Sequence, residues 1–162
     1  MANHGIWMHC TNSAIRRASR QLGQLYDDAM GETGLKGTQF SLMTQIRYDR
    51  QPALKALAET MRMDLSALGH TLKPLIRDGL VELKTDPTDR RVKRVRLTAL
   101  GEEKQDALAE RWRVAQSRFD AVFGVEKSTE IRQALAFISS PEFAEAFEKL
   151  GTGKSWTDRA DA

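Results

Sequence analysis

Two groups of side chains in this 162-residue sequence have the types and spacing for chemistry. Ser66, His70, Lys73 and Arg77 fall at i, i+4, i+7 and i+11, which puts them on one stripe of a helix. A hydroxyl, an imidazole, an ammonium and a guanidinium in one row can hydrogen-bond to base edges and phosphates. Ala67, Thr71 and Pro74 border that stripe, and Arg62 precedes it. The second group is "RRVKRVR" at 90–96, with five Lys or Arg in seven residues. Its pattern alternates like a strand, which places Arg90 and Arg91 at the tip of a ribbon. There an arginine can enter a minor groove, where narrow A·T segments concentrate negative potential. Lys93, Arg94 and Arg96 are expected to line the approach to phosphates, and Asp89 to clamp Arg91. Taken singly, each group has a plainer explanation. A solvated helix face accounts for the stripe, and edge strands carry Lys to discourage sheet pairing. Their adjacency in sequence favours a shared polyanion-binding face.

The elements around these groups can be read from periodicity. Ile15, Ala18, Leu22, Leu25, Tyr26 and Met30 predict a helix from about Cys10 to Met30, ended by Gly31 and Gly34. Thr38 is placed to cap a second helix that buries Phe40, Met43 and Ile46, closed at Gln51 by Pro52. A short third helix holds Leu54, Leu57, Ala58 and Met61. Asp64 or Ser66 caps a fourth over 64–78, with Leu65, Leu68, Leu72, Leu75 and Ile76 as its buried stripe and Gly79 as its stop. Pro74 inside it costs on the order of 3 kcal/mol in an ordinary helix interior. "LVELK" (80–84) and "VKRVRL" (92–97) alternate as two strands joined by "TDPTDRR". Thr98 caps a long fifth helix with Leu100, Leu108, Trp112, Ala115, Phe119, Val122 and Phe123 as its apolar stripe. A sixth carries Ile131, Leu135 and Ile138, and Phe143, Phe147 and Leu150 follow Pro141. Two short helices running directly into a hairpin are the order of a winged helix-turn-helix, whose second helix enters the DNA major groove. The expected fold class is mainly α with a small β-hairpin wing.

Composition bounds the function. Residues 1–54, 55–100 and 101–162 carry net charges of +2, +4 and −3, so the positive charge is local rather than general. One cysteine excludes an internal disulfide. No apolar run approaches the roughly 18 residues of a membrane helix, and "MANHGIWMHC" does not read as a secretory signal. A cytoplasmic protein is expected. No catalytic nucleophile–base pair, metal-ligand spacing or cofactor loop stands out. "GTGKS" would need glycine at position 148, where Glu148 stands, to form a phosphate-binding loop. His4, His9 and Cys10 are a weak metal set with no carboxylate nearby in sequence.

"GLKGTQFSLM", "LAETMRMDLSALGHTLKPLIRDGLVEL" and "DRRVKRVRLTALG" resemble the MarR (multiple-antibiotic-resistance regulator) family of bacterial transcription factors. Asp89, Arg91, Leu97, Thr98 and Gly101 match the family's wing pattern D-x-R…L-T-x-x-G. The resemblance implies a homodimeric regulator on a near-palindromic double-stranded operator. The favoured form is a repressor modulated by a small organic effector, with no cofactor, and no enzyme is expected. Residues 1–35 would contribute a dimerisation helix, 36–100 the winged helix-turn-helix and 101–150 the long helix and further dimerisation helices; 151–162 would be a frayed tail. An effector pocket would lie against Ser19, Leu22, Phe40, Met43, Arg47 and Trp112, with Arg47 as the cation for an anion such as an aromatic carboxylate. Alternatives are a thiol-based redox sensor and a winged-helix module for protein contacts. The cysteine of the peroxide-sensing branch would fall at Asn12, not Cys10. Many relatives carry more polar or basic residues where this chain has Leu65, Gly69 and His70, so the target sequence cannot be carried over.

Overall fold

The computed structural model describes residues 9–151. In chain order these form α1 (Thr11–Met30), a 3₁₀ turn (Gly31–Thr33), α2 (Gly37–Tyr48), α3 (Leu54–Thr60), α4 (Leu65–Arg77), β1 (Val81–Thr85), β2 (Lys93–Leu97), α5 (Ala99–Phe123), α6 (Val125–Ile138) and α7 (Pro141–Gly151). Helices, hairpin and helices follow in the order expected from the change of period. The chain divides into two compact units, one ending at Gln116 and one beginning at Ser117, so the boundary lies within α5.

The core belongs to the first unit. Met30, Phe40, Leu42, Met43, Ile46, Leu57, Leu68, Leu72, Leu75, Val81, Val95 and Leu108 form one buried cluster drawn from α1 to α5 and both strands. The expected inward face of α4 is buried at Leu68, Leu72 and Leu75. Its two ends are not. Leu65 is 58% exposed and Ile76 38%, against the expectation that both are buried. They lie nearer the edge of the stripe, where with Leu54, Gly69 and Leu83 they line an open apolar groove rather than the core.

The starts of α2 and α4 are fixed by side chains. The cap of α2 is at Lys36 rather than Thr38. Asp27 Oδ1 accepts the Gly37 N–H at 2.6 Å, and Gln39 Oε1 accepts the Lys36 N–H at 2.9 Å. An acid from α1 thus takes the part expected of the local hydroxyl, and ties α1 to α2. Asp64, not Ser66, caps α4, accepting the Ala67 N–H at 2.7 Å. Ser66 is thereby left to face solvent. Pro74 stays inside α4. The carbonyl it deprives of a donor is that of His70, an exposed residue, so water can satisfy it. Gly79 ends the helix at φ +69°, a conformation that favours glycine.

Candidate nucleic-acid interface

The wing pairs β1 with β2 antiparallel, Val81 opposite Leu97 through Thr85 opposite Lys93. Alternation therefore divides its side chains. Val81, Leu83 and Thr85 share a face with Leu97, Val95 and Lys93; Glu82 and Lys84 share the other with Arg96 and Arg94. The first face turns to α4, since Leu83 lines the groove with Leu65, Gly69 and Ile76. Hairpin and α4 thus lie side by side, as expected of a winged helix.

Two close contacts set the wing's base. Thr98 donates its hydroxyl to the Gly79 carbonyl at 2.6 Å and accepts the Gly101 N–H at 3.0 Å, capping α5 while holding the end of α4. At Gly101 a Cβ would stand 2.0 Å from the Leu80 carbonyl oxygen, so only glycine fits. This is the physical content of the T-x-x-G pattern. On the other edge, Val95 N–H donates to Pro52 O at 3.0 Å and Arg94 Nη1 to Gln51 O at 3.0 Å. These bonds fasten β2 to the turn before α3, where Arg50 and Gln51 both take positive φ (51° and 69°), a costly backbone for side chains with a Cβ.

The loop between the strands is organised by a residue that the sequence reading misses. Asp86 is buried, and its Oδ1 accepts from the Thr88 N–H (2.8 Å), the Thr88 hydroxyl (2.6 Å) and the Asp89 N–H (3.0 Å). Its Oδ2 accepts from the Arg94 guanidinium. The Thr88 hydroxyl, then Arg94 and the two amides, hold this carboxyl well below the usual carboxylate range. The signal is present in "DPTD": an Asp two residues before a Thr, across a Pro, is the signature of a side-chain-to-backbone turn. Asp89 does not clamp the Arg91 side chain, as the sequence suggests it should. Its Oδ1 accepts the Arg91 backbone N–H at 2.9 Å, so it shapes the loop and leaves the guanidinium alone.

The cations separate into held and free. Arg94 and Arg96 do not line an open approach to phosphate as expected. Arg94 is paired with Asp86, and Arg96 Nε with Glu82 Oε1 at 2.6 Å. Lys84 also reaches Glu82, at 3.1 Å, and together Lys84 and Arg96 lower the Glu82 carboxyl's pKa. Arg77, at the end of the α4 stripe, is paired with Asp78. Among the described residues, Arg62, Lys73, Arg90 and Arg91 have no carboxylate partner and all are exposed. Arg62 stands in the turn between α3 and α4 at φ 51°. Lys93 donates to the Thr85 hydroxyl at 2.7 Å, a neutral partner that leaves its charge uncompensated. Ser66 and His70 are exposed on α4, Ala67 is half-buried, and Thr71 donates its hydroxyl to the Ala67 carbonyl at 3.1 Å within the helix.

The expected effector residues are placed differently from one another. Phe40 and Met43 are buried in the core, whereas Leu22 is half-buried and Ser19 and Trp112 are exposed. Arg47 is not a free cation: it pairs with Asp106 at 2.5 Å and donates to Gln105, so an anion there would have to displace Asp106. Cys10 is the N-cap residue of α1, and hydrogen bonding by Ser13, with a smaller contribution from Arg17, lowers its thiol pKa. Among the described residues no three His, Cys, Asp or Glu side chains converge as a metal set, and no helix is long and apolar enough to cross a membrane. His4 and all but Gly151 of "GTGKS" lie outside the described residues.

Comparison with known proteins agrees with this geometry. The profile of the MarR family matches residues 35–93, from two residues before α2 to the first residue of β2. The M. tuberculosis transcriptional regulator MosR, solved in complex with DNA, is similar at 33% identity and TM-score 0.74, over 85% of this chain and 98% of that one. The PcaV regulator of Streptomyces coelicolor, solved with its natural ligand, superposes with TM-score 0.76 at 19% identity, over 88% and 99%. A mutant of E. coli MarR, solved on operator DNA, superposes with TM-score 0.75 at 17% identity, over 85% and 99%. The latter two, at such low identity, speak for the fold. No curated protein matches the sequence. With MosR a third identical over nearly its whole length, and the family profile matched from just before α2 to the first residue of β2, the chain belongs to the MarR family of transcriptional regulators.

Proposed function

We propose that this regulator is a repressor that binds a near-palindromic DNA operator as a homodimer, reading it with α4 and the wing, and that a small organic effector modulates the binding. The observation that carries the reading is the gathering of uncompensated donors. Lys73 and His70 on α4, Arg62 in the turn before it, and Arg90, Arg91 and Lys93 on the wing are all exposed on one side-by-side pair of elements. Ser66 and His70 are the candidates for base edges, and Arg90 and Arg91 for backbone and minor-groove shape. MosR and the MarR mutant were solved on DNA, which supports the same partner here.

Two-fold pairing is supported by apolar side chains that are exposed in the single chain. Phe147 and Leu150 on α7 are 70% and 68% exposed, and Leu25 on α1 is 52% exposed. Exposed apolar patches of this kind mark interfaces. The effector reading draws on PcaV, solved with its natural ligand, and puts the molecule beside Ser19, Leu22, Phe40, Met43, Arg47 and Trp112. An aromatic carboxylate would replace Asp106 on Arg47 there. It modulates operator affinity only if it binds two states of the dimer unequally.

The test is affinity for the operator and for scrambled DNA at two or more salt concentrations, with sedimentation run alongside. A dimer with a steep salt dependence and a preference for one sequence is expected. A monomer at micromolar concentration, or an affinity indifferent to salt, contradicts the reading.

A further inference from the structure

The stripe on α4 ends in a cation that is already bound. Arg77 donates Nε to Asp78 Oδ1 at 2.7 Å and Nη2 to Asp78 Oδ2 at 3.1 Å, a two-pronged contact. A guanidinium grips a phosphate with the same fork, so the two partners compete for one set of donors. Nothing about the helix asks for an acid at this point. Asp78 is the C-cap residue of α4, where the helix dipole disfavours negative charge. Nor does the pair contribute much stability, since the side chains are 74% and 43% exposed. The other cations of this surface, Lys73, Arg90 and Arg91, have no carboxylate partner among the described residues.

We propose that Asp78 is a specificity-determining residue, an internal counter-ion that withholds Arg77 from DNA of the wrong sequence. In a loose, non-specific complex, phosphates at changing distances do not displace a carboxylate held by two hydrogen bonds. Arg77 then stays on Asp78 and releases no counterion from the DNA. The non-specific complex is weakened, while the readers of base edges, Ser66 and His70, are untouched. On the operator, where Ser66 and His70 fix the register, a phosphate standing at one place takes Arg77 from Asp78, so Asp78 widens the gap between specific and non-specific affinity without meeting a base. This inference rests on the DNA-binding reading of α4.

The test uses the full chain, with operator and scrambled duplexes of equal length across a salt series. Asp78→Asn keeps shape and helix-end compatibility while removing the charge. It is expected to raise affinity for scrambled DNA several-fold and to steepen its log–log salt slope by about 1, with a smaller gain on the operator, so that the ratio of the two affinities falls; an equal gain on both duplexes overturns the proposal. Arg77→Ala in the native background is expected to leave scrambled-DNA affinity nearly unchanged, and in the Asp78→Asn background to abolish the gain. Two further results would overturn the proposal. One is an Asp78→Asn variant with native affinity and slope while Lys73→Ala lowers the slope, which leaves the DNA-binding reading intact. The other is a gain that survives Arg77→Ala, which makes Asp78 a general repulsive charge. If Asp78→Asn, Lys73→Ala and Arg91→Ala all bind as the native protein does, both this proposal and the DNA-binding reading of this surface fall.

Discussion

The tip of the wing and the outer face of its strands are built from the same residue types and do opposite things. At the tip, Arg90 and Arg91 project from a loop whose acids are engaged with its own backbone. Along the strands, Arg94 and Arg96 are each matched to a carboxylate, Asp86 and Glu82, on the face away from α4. One region presents charge and the other consumes it in holding a shape. Charge density along the sequence is thus a poor measure of charge available to a ligand; strand parity and the nearest acid decide. Lys93 and Arg94 are neighbours in sequence and fall on opposite faces with opposite fates.

The sharpest break of this contrast is at Gly101, below the wing. Gly101→Ala must move the Leu80 backbone or α5, because the new Cβ would sit 2.0 Å from the Leu80 oxygen. A loss of up to about 3 kcal/mol of stability is expected, measured by chemical or thermal unfolding. At the tip the reverse holds. Arg91→Ala should leave the unfolding midpoint within experimental scatter and weaken DNA binding by about tenfold across many sequences, since its expected contacts are with backbone and groove shape.

Asp86 lies between these extremes. Asp86→Asn should loosen the loop that carries Arg90 and Arg91, weakening DNA binding by less than Arg91→Ala while also lowering stability. Acid sharpens the point. Because the folded-state pKa of Asp86 is depressed, its contribution is present above the ordinary carboxylate value near 4 and is lost as pH falls from there toward the depressed value. Native protein should therefore lose stability on acidification more steeply than Asp86→Asn, as followed by circular dichroism. An identical acid profile for the two would show that the Asp86 network contributes nothing. The smallest effect is expected at Asp89. Asp89→Ala frees one backbone amide, that of Arg91, and should weaken binding only a few-fold.

Much of this is legible in the sequence, for reasons that differ by region. The order of elements follows from periodicity, because Leu68, Leu72 and Leu75 repeat at helical spacing while Val95 and Leu97 repeat at strand spacing and both sets meet one core. Asp64 and Thr98 can be identified as caps because they act on amides three residues away. Partners distant in sequence cannot. Asp27 capping α2, Arg94 on Gln51 O and Arg47 on Asp106 bridge 10, 43 and 59 positions, and no local pattern announces them. The same limit explains Leu65 and Ile76, whose type says apolar while their place at the rim of a groove is set by the neighbouring strand. Asp86 is the instructive miss. Its turn signature is local and readable, yet the five basic residues beside it draw the eye to charge rather than to loop geometry.

The most direct measurement is the salt dependence of operator binding for Arg91→Ala, Lys93→Ala and Arg96→Ala in parallel. Removing one phosphate contact lowers the slope of log affinity against log salt by about 1. Lys93→Ala, and Arg91→Ala where the arginine meets phosphate, should lower the slope by about that amount. Arg96→Ala should leave it unchanged, because its charge is already matched by Glu82. Equal slopes for all three variants, or a fall for Arg96→Ala alone, would contradict the division between a wing tip that meets DNA and an outer strand face that holds it in place.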